Sequence, residues 1–179
     1  MQNKKLANEI LKMAKYDQDA RFESMKAKDR KKAGLKIIAI DKKNTKRAKE
    51  IIKKYGWPEF DLIGKEAGHM FWLVVQHADL NPEFQKQSLK LLKQAVKNKQ
   101  ALPGDEALLT DRVLVREGKK QIYGTQFHRD EKMNLVPRPI KDMKNIDKLR
   151  KSAGLEPFKK YQKKMEKIGE KTKKMVLKK

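Results

Sequence analysis

The stretch "GKEAGHMFWLVVQHADLNP", residues 64–82, decides the fold. Between Met70 and Val75 it is apolar at every position, too continuous for a surface helix with one wet face. Such a run could form a buried strand, and the β-branched pair Val74-Val75 leans that way. The preceding Glu66-Ala67-Gly68-His69 and the start signal Asn81-Pro82 behind it favour a helix over 64–78, at the centre of a bundle. His77 follows Met70, Leu73 and Val74 by seven, four and three positions and so shares their buried face.

Toward the amino terminus, Leu6, Ile10, Met13, Asp17 and Arg21 recur at helical spacing and form one stripe that begins apolar and ends charged. "KAKDRKKAGLK" reads as an exposed helix end and linker. "DKKNTKRAKEIIKKYGWPEF" reads as a second helix, capped by Asn44 or Thr45 and stopped at Gly56.

Beyond the central helix, Asn81-Pro82 opens an amphipathic helix with Phe84, Ser88, Leu91, Leu92 and Ala95 inward and Lys86, Lys90, Lys93 and Lys97 outward. "ALPGDEALLTDRVLVREGKK" predicts a further helix capped by Asp105, carrying Leu108, Leu109, Val113 and Val115, and ending at Gly118. The period then changes. "QIYGTQF" alternates like a strand, "RDEKMN" turns, and "NLVPRPI" pairs back as an edge limited by Pro137 and Pro139. In the tail, Phe158, Tyr161, Met165 and Ile168 share a helical stripe, with fraying after Gly169. The expectation is a mainly α protein, a helical bundle around the central apolar helix (64–78) with one C-terminal two-stranded β-ribbon (about 121–140). Residues 1–168 are read as a single domain and 169–179 as a lysine-rich tail.

The net charge of +23 points at first to nucleic acid or an anionic membrane surface. Its distribution argues otherwise: residues 57–127 carry a net of +1, and the two flanks carry +11 each. Of the 46 basic residues only eight are Arg, the side chain suited to bidentate phosphate and base contacts. The excess looks more like solvated charge than a reading surface. There is no cysteine, so disulfides, thiolate metal sites and cysteine nucleophiles are excluded. No segment has signal-peptide character or approaches the roughly 20 apolar residues of a membrane span. A cytoplasmic protein is the simplest reading. Glycine-rich phosphate loops, HExxH helices and GxSxG elbows are absent.

Four polar constellations remain. His77 is either a general acid or base, since imidazole titrates nearest neutral pH, or a structural histidine satisfied at a helix end. Asp79, beside it, is either a ligand contact or a cap for the next helix. Asp17 and Arg21 lie where an apolar stripe runs into charge, so they either line a wet pocket or belong to a structural network. Asp111-Arg112 sits next to an apolar face through Leu108 and Val115, and Tyr123-Gly124-Thr125-Gln126 either lines a ligand site or caps the bundle.

"DQDAR" at 17–21, "GW" near 56, "QHAD" at 76–79, "LLTDRV" at 108–113, "QIYGTQF" at 121–127, "VPRPI" and "AGLEPF", taken in this order, resemble a bacterial family of small proteins of unknown function. The resemblance covers about residues 6–162. It implies a shared fold and a shared polar pocket and carries no reaction across. Its segments coincide with the inward-facing polar groups: Asp17, Arg21, His77, Asp79, Asp111, Arg112, Tyr123 and Gln126.

The primary expectation is a small helical enzyme or ligand binder for an unknown small molecule. His77 is its acid–base group, Asp17 or Asp111 the orienting partner, and Arg21 or Arg112 an anion clamp. Without a recognisable protein nucleophile, hydrolysis by activated water is the first reaction class to test. No cofactor is indicated, and no ligand spacing supports a metal at His77 and the aspartates. The alternative is non-specific nucleic-acid binding through the lysine flanks. A protein-interaction module with a large exposed apolar patch is a third reading.

Overall fold

A computed structural model describes residues 3–177. It is mainly helical and carries a two-stranded antiparallel sheet in its C-terminal part. The chain divides into two compact units, one up to Asp105 and one from Glu106.

In the first unit, helix α1 (Lys4–Lys26) starts where the Asn3 side chain accepts a hydrogen bond from the Leu6 amide. Its buried stripe is Leu6, Ile10, Ala14, Asp17 and Ala20, so the predicted face is right and Ala14 takes the place given to Met13. Helix α2 (Arg30–Tyr55) corrects the expected start. Its cap is Asp29, which accepts from Lys32 N, and Asn44 and Thr45 are buried in mid-helix. The early half of α2 is largely exposed, so it has no apolar period to read; strong helix formers and the cap carry it. Gly56 ends it at φ +68°, as expected.

The short helix α3 (Phe60–Ile63) leads into α4 (Lys65–Gln76), the predicted central helix. Ala67, Gly68, Phe71, Trp72, Val74, Val75 and Gln76 are buried on it, and it packs on both α1 and α2. Burying each large apolar side chain here is worth about 1.5–3 kcal/mol. Gly68 admits the Phe60 ring, which a Cβ there would meet at 2.8 Å, and Phe71 meets Trp57 edge-on at 5.2 Å. Helix α5 (Pro82–Lys97) follows. It buries Phe84, Gln85, Ser88, Leu89, Leu92 and Ala95, whereas Leu91, expected inward, is exposed.

Helix α6 (Pro103–Arg116) begins before Asp105, so Asp105 lies in its first turn and not at its cap. In the second unit, the backbone after α6 differs from the expected strand: only Phe127–Arg129 is β1, paired with Leu135–Pro137 as β2 in the register Phe127↔Pro137, His128↔Val136, Arg129↔Leu135. Gln121 makes an isolated parallel bridge to Ile140, and residues 122–126 form a loop. Helix α7 (Ile146–Ser152) was not foreseen. Helix α8 (Phe158–Leu177) passes through Gly169 without ending. Gly169 is there for close approach: a Cβ would stand 2.7 Å from Leu135 Cβ of the ribbon. Lys178 and Lys179, at the end of the expected tail, lie outside the described residues.

Candidate acid–base site

The stripe of α1 delivers Asp17 into the interior of the first unit at 2% exposure. There His77, the residue that ends α4, places Nδ1 2.7 Å from Asp17 Oδ2. Arg21, one turn after Asp17, donates from Nε to Asp17 Oδ1 at 3.0 Å and from a terminal nitrogen to Asp41 Oδ1 at 2.5 Å. Gln18 adds a hydrogen bond to Asp17 Oδ2 at 2.9 Å. The group is a chain of hydrogen-bonded side chains: Asp41, Arg21, Asp17, His77.

Burial pushes the Asp17 carboxyl up. The hydrogen bond and charge of His77, the Arg21 guanidinium and the Gln18 amide outweigh it and hold the carboxyl below its ordinary range. Burial pushes Asp41 up despite Arg21, and the neighbouring Asp17 charge adds to this. An ionised carboxylate only accepts, so His77 Nδ1 must carry the proton it shares with Asp17. In the neutral ring, Nε2 then holds the free lone pair. Among the described residues it has no hydrogen-bond partner, and the His77 side chain is 17% exposed. Arg21, read as an anion clamp, spends two of its nitrogens on carboxylates of the protein itself.

The turn that presents His77 is held from below by a residue the pattern missed. Gln85, fully buried on α5, donates to Val75 O, Gln76 O and Asp79 Oδ1 at 3.3, 3.0 and 3.3 Å. Asp79 thus meets α5 through Gln85, while Asn81 occupies the cap position without a side-chain capping bond. A groove of about 450 Å3 in this unit is lined by Ala20, Glu23, Ser24, Ala33 and Lys36 among others, and His77 does not line it.

A second histidine–aspartate pair was also missed. His69 Nδ1 lies 2.9 and 3.0 Å from the two Asp105 oxygens, and its ring stacks on Trp72 at 5.1 Å. The hydrogen bond to Asp105 raises the His69 imidazole, against a smaller effect of burial, while burial pushes Asp105 up.

In the second unit, Asp111, at 0% exposure, accepts from the backbone amides of Ile122 (2.7 Å), Tyr123 (3.0 Å) and Thr125 (2.9 Å) and from Thr125 Oγ1 (3.0 Å). The loop of residues 122–126 is wrapped around this carboxylate. Arg112 reaches Gln126 Oε1 at 3.4 Å, and Gln126 Nε2 reaches Thr125 Oγ1. Tyr123 is raised by burial and by the charges of Glu106 and Asp111, and its carbonyl accepts from the buried Arg150 at 2.6 Å. Seven of the eight predicted residues therefore form two sets: Asp17, Arg21 and His77, joined by Asp41, in the first unit, and Asp111, Arg112, Tyr123 and Gln126 in the second; Asp79 stands apart with Gln85.

Among the described residues no group of three or more His, Cys, Asp or Glu side chains is placed to hold a metal ion, and no helix is long and apolar enough to cross a membrane. No curated protein and no solved structure is detectably similar to the chain. A family model does match, over residues 4–173, and the chain belongs to that family, a family of unknown function designated DUF6624.

Proposed function

We propose that the first unit is an acid–base centre for hydrolysis of a small molecule, with His77 as general base and Asp17 as its orienting partner. The observation that supports this is the Nδ1 contact to a buried, ionised carboxylate at 2.7 Å, which leaves Nε2 unpaired at a partly open surface. Nε2 takes a proton from water as the oxygen attacks the substrate, Asp17 stabilises the imidazolium that forms, and the imidazolium returns the proton to the leaving group as its bond to the substrate breaks. Arg21 keeps Asp17 ionised and fixed, and Asp41 holds Arg21 from the other side. Asp111, whose side-chain hydrogen bonds among the described residues go to the loop it organises, enters the proposal as the group that shapes the segment bearing Tyr123 and Gln126.

The test is a panel of ester, amide, phosphoester and nucleotide substrates turned over by the wild-type chain and by His77→Gln and Asp17→Asn. Loss of an acid–base group costs about 10²–10⁴ in rate. Both variants should fall by at least about a hundredfold while keeping the wild-type circular dichroism spectrum. A wild-type chain inert to the whole panel, or folded variants that turn over normally, sinks the reading.

A further inference from the structure

Helix α8 carries a second, independent feature. At 3.6 residues per turn, Lys160, Lys163, Lys164, Lys167, Lys171 and Lys174 fall within an arc of about 100° with no acidic residue inside it; Glu166 and Glu170 lie outside. All six are exposed. Lys160 and Lys164 pair with Glu156, whereas Lys163, Lys167, Lys171 and Lys174 have no hydrogen bond or ion pair among the described residues. These four ammonium groups run along about 16 Å of one helix face at about 1.5 Å per residue.

The opposite face of α8 is already used. Phe158 is buried, Tyr161 meets Phe127 edge-on, and Gly169 sits against Leu135 of the ribbon. A helix that lies in a bilayer interface needs a free apolar face beside its basic one. Ile168 alone among the described bulky apolar side chains of α8 is exposed. What remains available is a row of compact positive charges without arginine. Such a row matches regularly spaced phosphates and does not discriminate among bases.

We propose that the Lys163–Lys167–Lys171–Lys174 face of α8 binds the phosphate backbone of nucleic acid without sequence preference. Four neutralised phosphates give a slope of about −3.6 for log K against log salt on duplex DNA, hence a loss of roughly a hundredfold between 50 and 200 mM salt.

The experiment measures anisotropy of a labelled mixed-sequence duplex against the full chain across that salt range. Two charge-matched variants are compared: Lys163, Lys167, Lys171 and Lys174 all changed to Gln, and Lys65, Lys90, Lys93 and Lys97, exposed on α4 and α5, all changed to Gln. The proposal expects the α8 variant to flatten the slope by about 3 to 4 units and the control variant to leave it nearly unchanged. Equal weakening in both variants, which would mean charge alone, overturns it. So does a slope that neither variant changes. A third overturning result is α8-dependent binding to phosphatidylserine vesicles without binding to the duplex. Because His77 is intact in both variants, this outcome is independent of the acid–base reading.

Discussion

Asp17 in the first unit and Asp111 in the second are the most deeply buried aspartates among the described residues, and they are satisfied in different ways. Asp111 gives its oxygens to three backbone amides and a threonine hydroxyl, groups that do not titrate near neutral pH. Asp17 gives its oxygens to an imidazole, a guanidinium and an amide side chain. The first arrangement closes a loop. The second fixes one nitrogen of an imidazole and leaves the other available. A buried carboxylate is therefore informative about chemistry only once its partners are known, and partners that titrate are the ones that leave a usable atom.

The largest expected effect breaks the scaffold side of the comparison. Asp111→Ala strands the amides of Ile122, Tyr123 and Thr125, each at about 1–3 kcal/mol, so it should destabilise the second unit by roughly 4 kcal/mol in urea titration after partial solvation. A loss under about 1 kcal/mol would show that the loop does not depend on that carboxylate.

Asp17→Asn should cost less in stability, about 1–2 kcal/mol at neutral pH, because the amide keeps one acceptor for Arg21 or His77. Since the folded Asp17 titrates below its unfolded value, the advantage of wild type is complete above roughly pH 4 and fades as pH falls through the folded value. A stability difference that grows as pH falls below roughly 4 contradicts this assignment.

The smallest effect concerns His69, whose side chain is 40% exposed. Its imidazole is raised, so its pairing with Asp105 stabilises fully below roughly pH 6.5 and less as pH rises through the folded value. Solvent screening keeps this below about 1 kcal/mol. Asp105→Asn should flatten the fall in stability as pH rises above roughly 6.5, measured by thermal melts. An unaltered profile would mean that the contact carries no net energy.

Legibility followed burial. Helix α4 could be read because it is buried almost all round, and α5 because its charge and apolar faces segregate. The first half of α2 has no buried face, so its lysines looked like a linker. The alternation of residues 121–127 suggested a strand, yet hydrophobic period says nothing about a carboxylate eleven to fourteen positions away that captures the amides. At the candidate site, Asp17 was visible as a charge on an apolar stripe, and His77 as a polar group at the end of an apolar run. Asp41 is twenty residues from Arg21, and Asp105 is thirty-six from His69. Contacts at such separations exist only after the helices pack, and a single sequence carries no periodic trace of them. Gln85 was hidden differently: its position predicts burial, but an amide on a lysine-rich helix reads as solvent-facing.

The grip of Gln85 on the turn before His77 has a mechanical meaning. Its strongest contact is to a main-chain carbonyl, made by a primary amide that neither gains nor loses a proton in any physiological range. The mount of the imidazole is thereby separated from its charge. In the proposed acid–base role, the backbone that carries His77 would stay in place while the ring exchanges its proton, so the ring would return to the same position after each exchange.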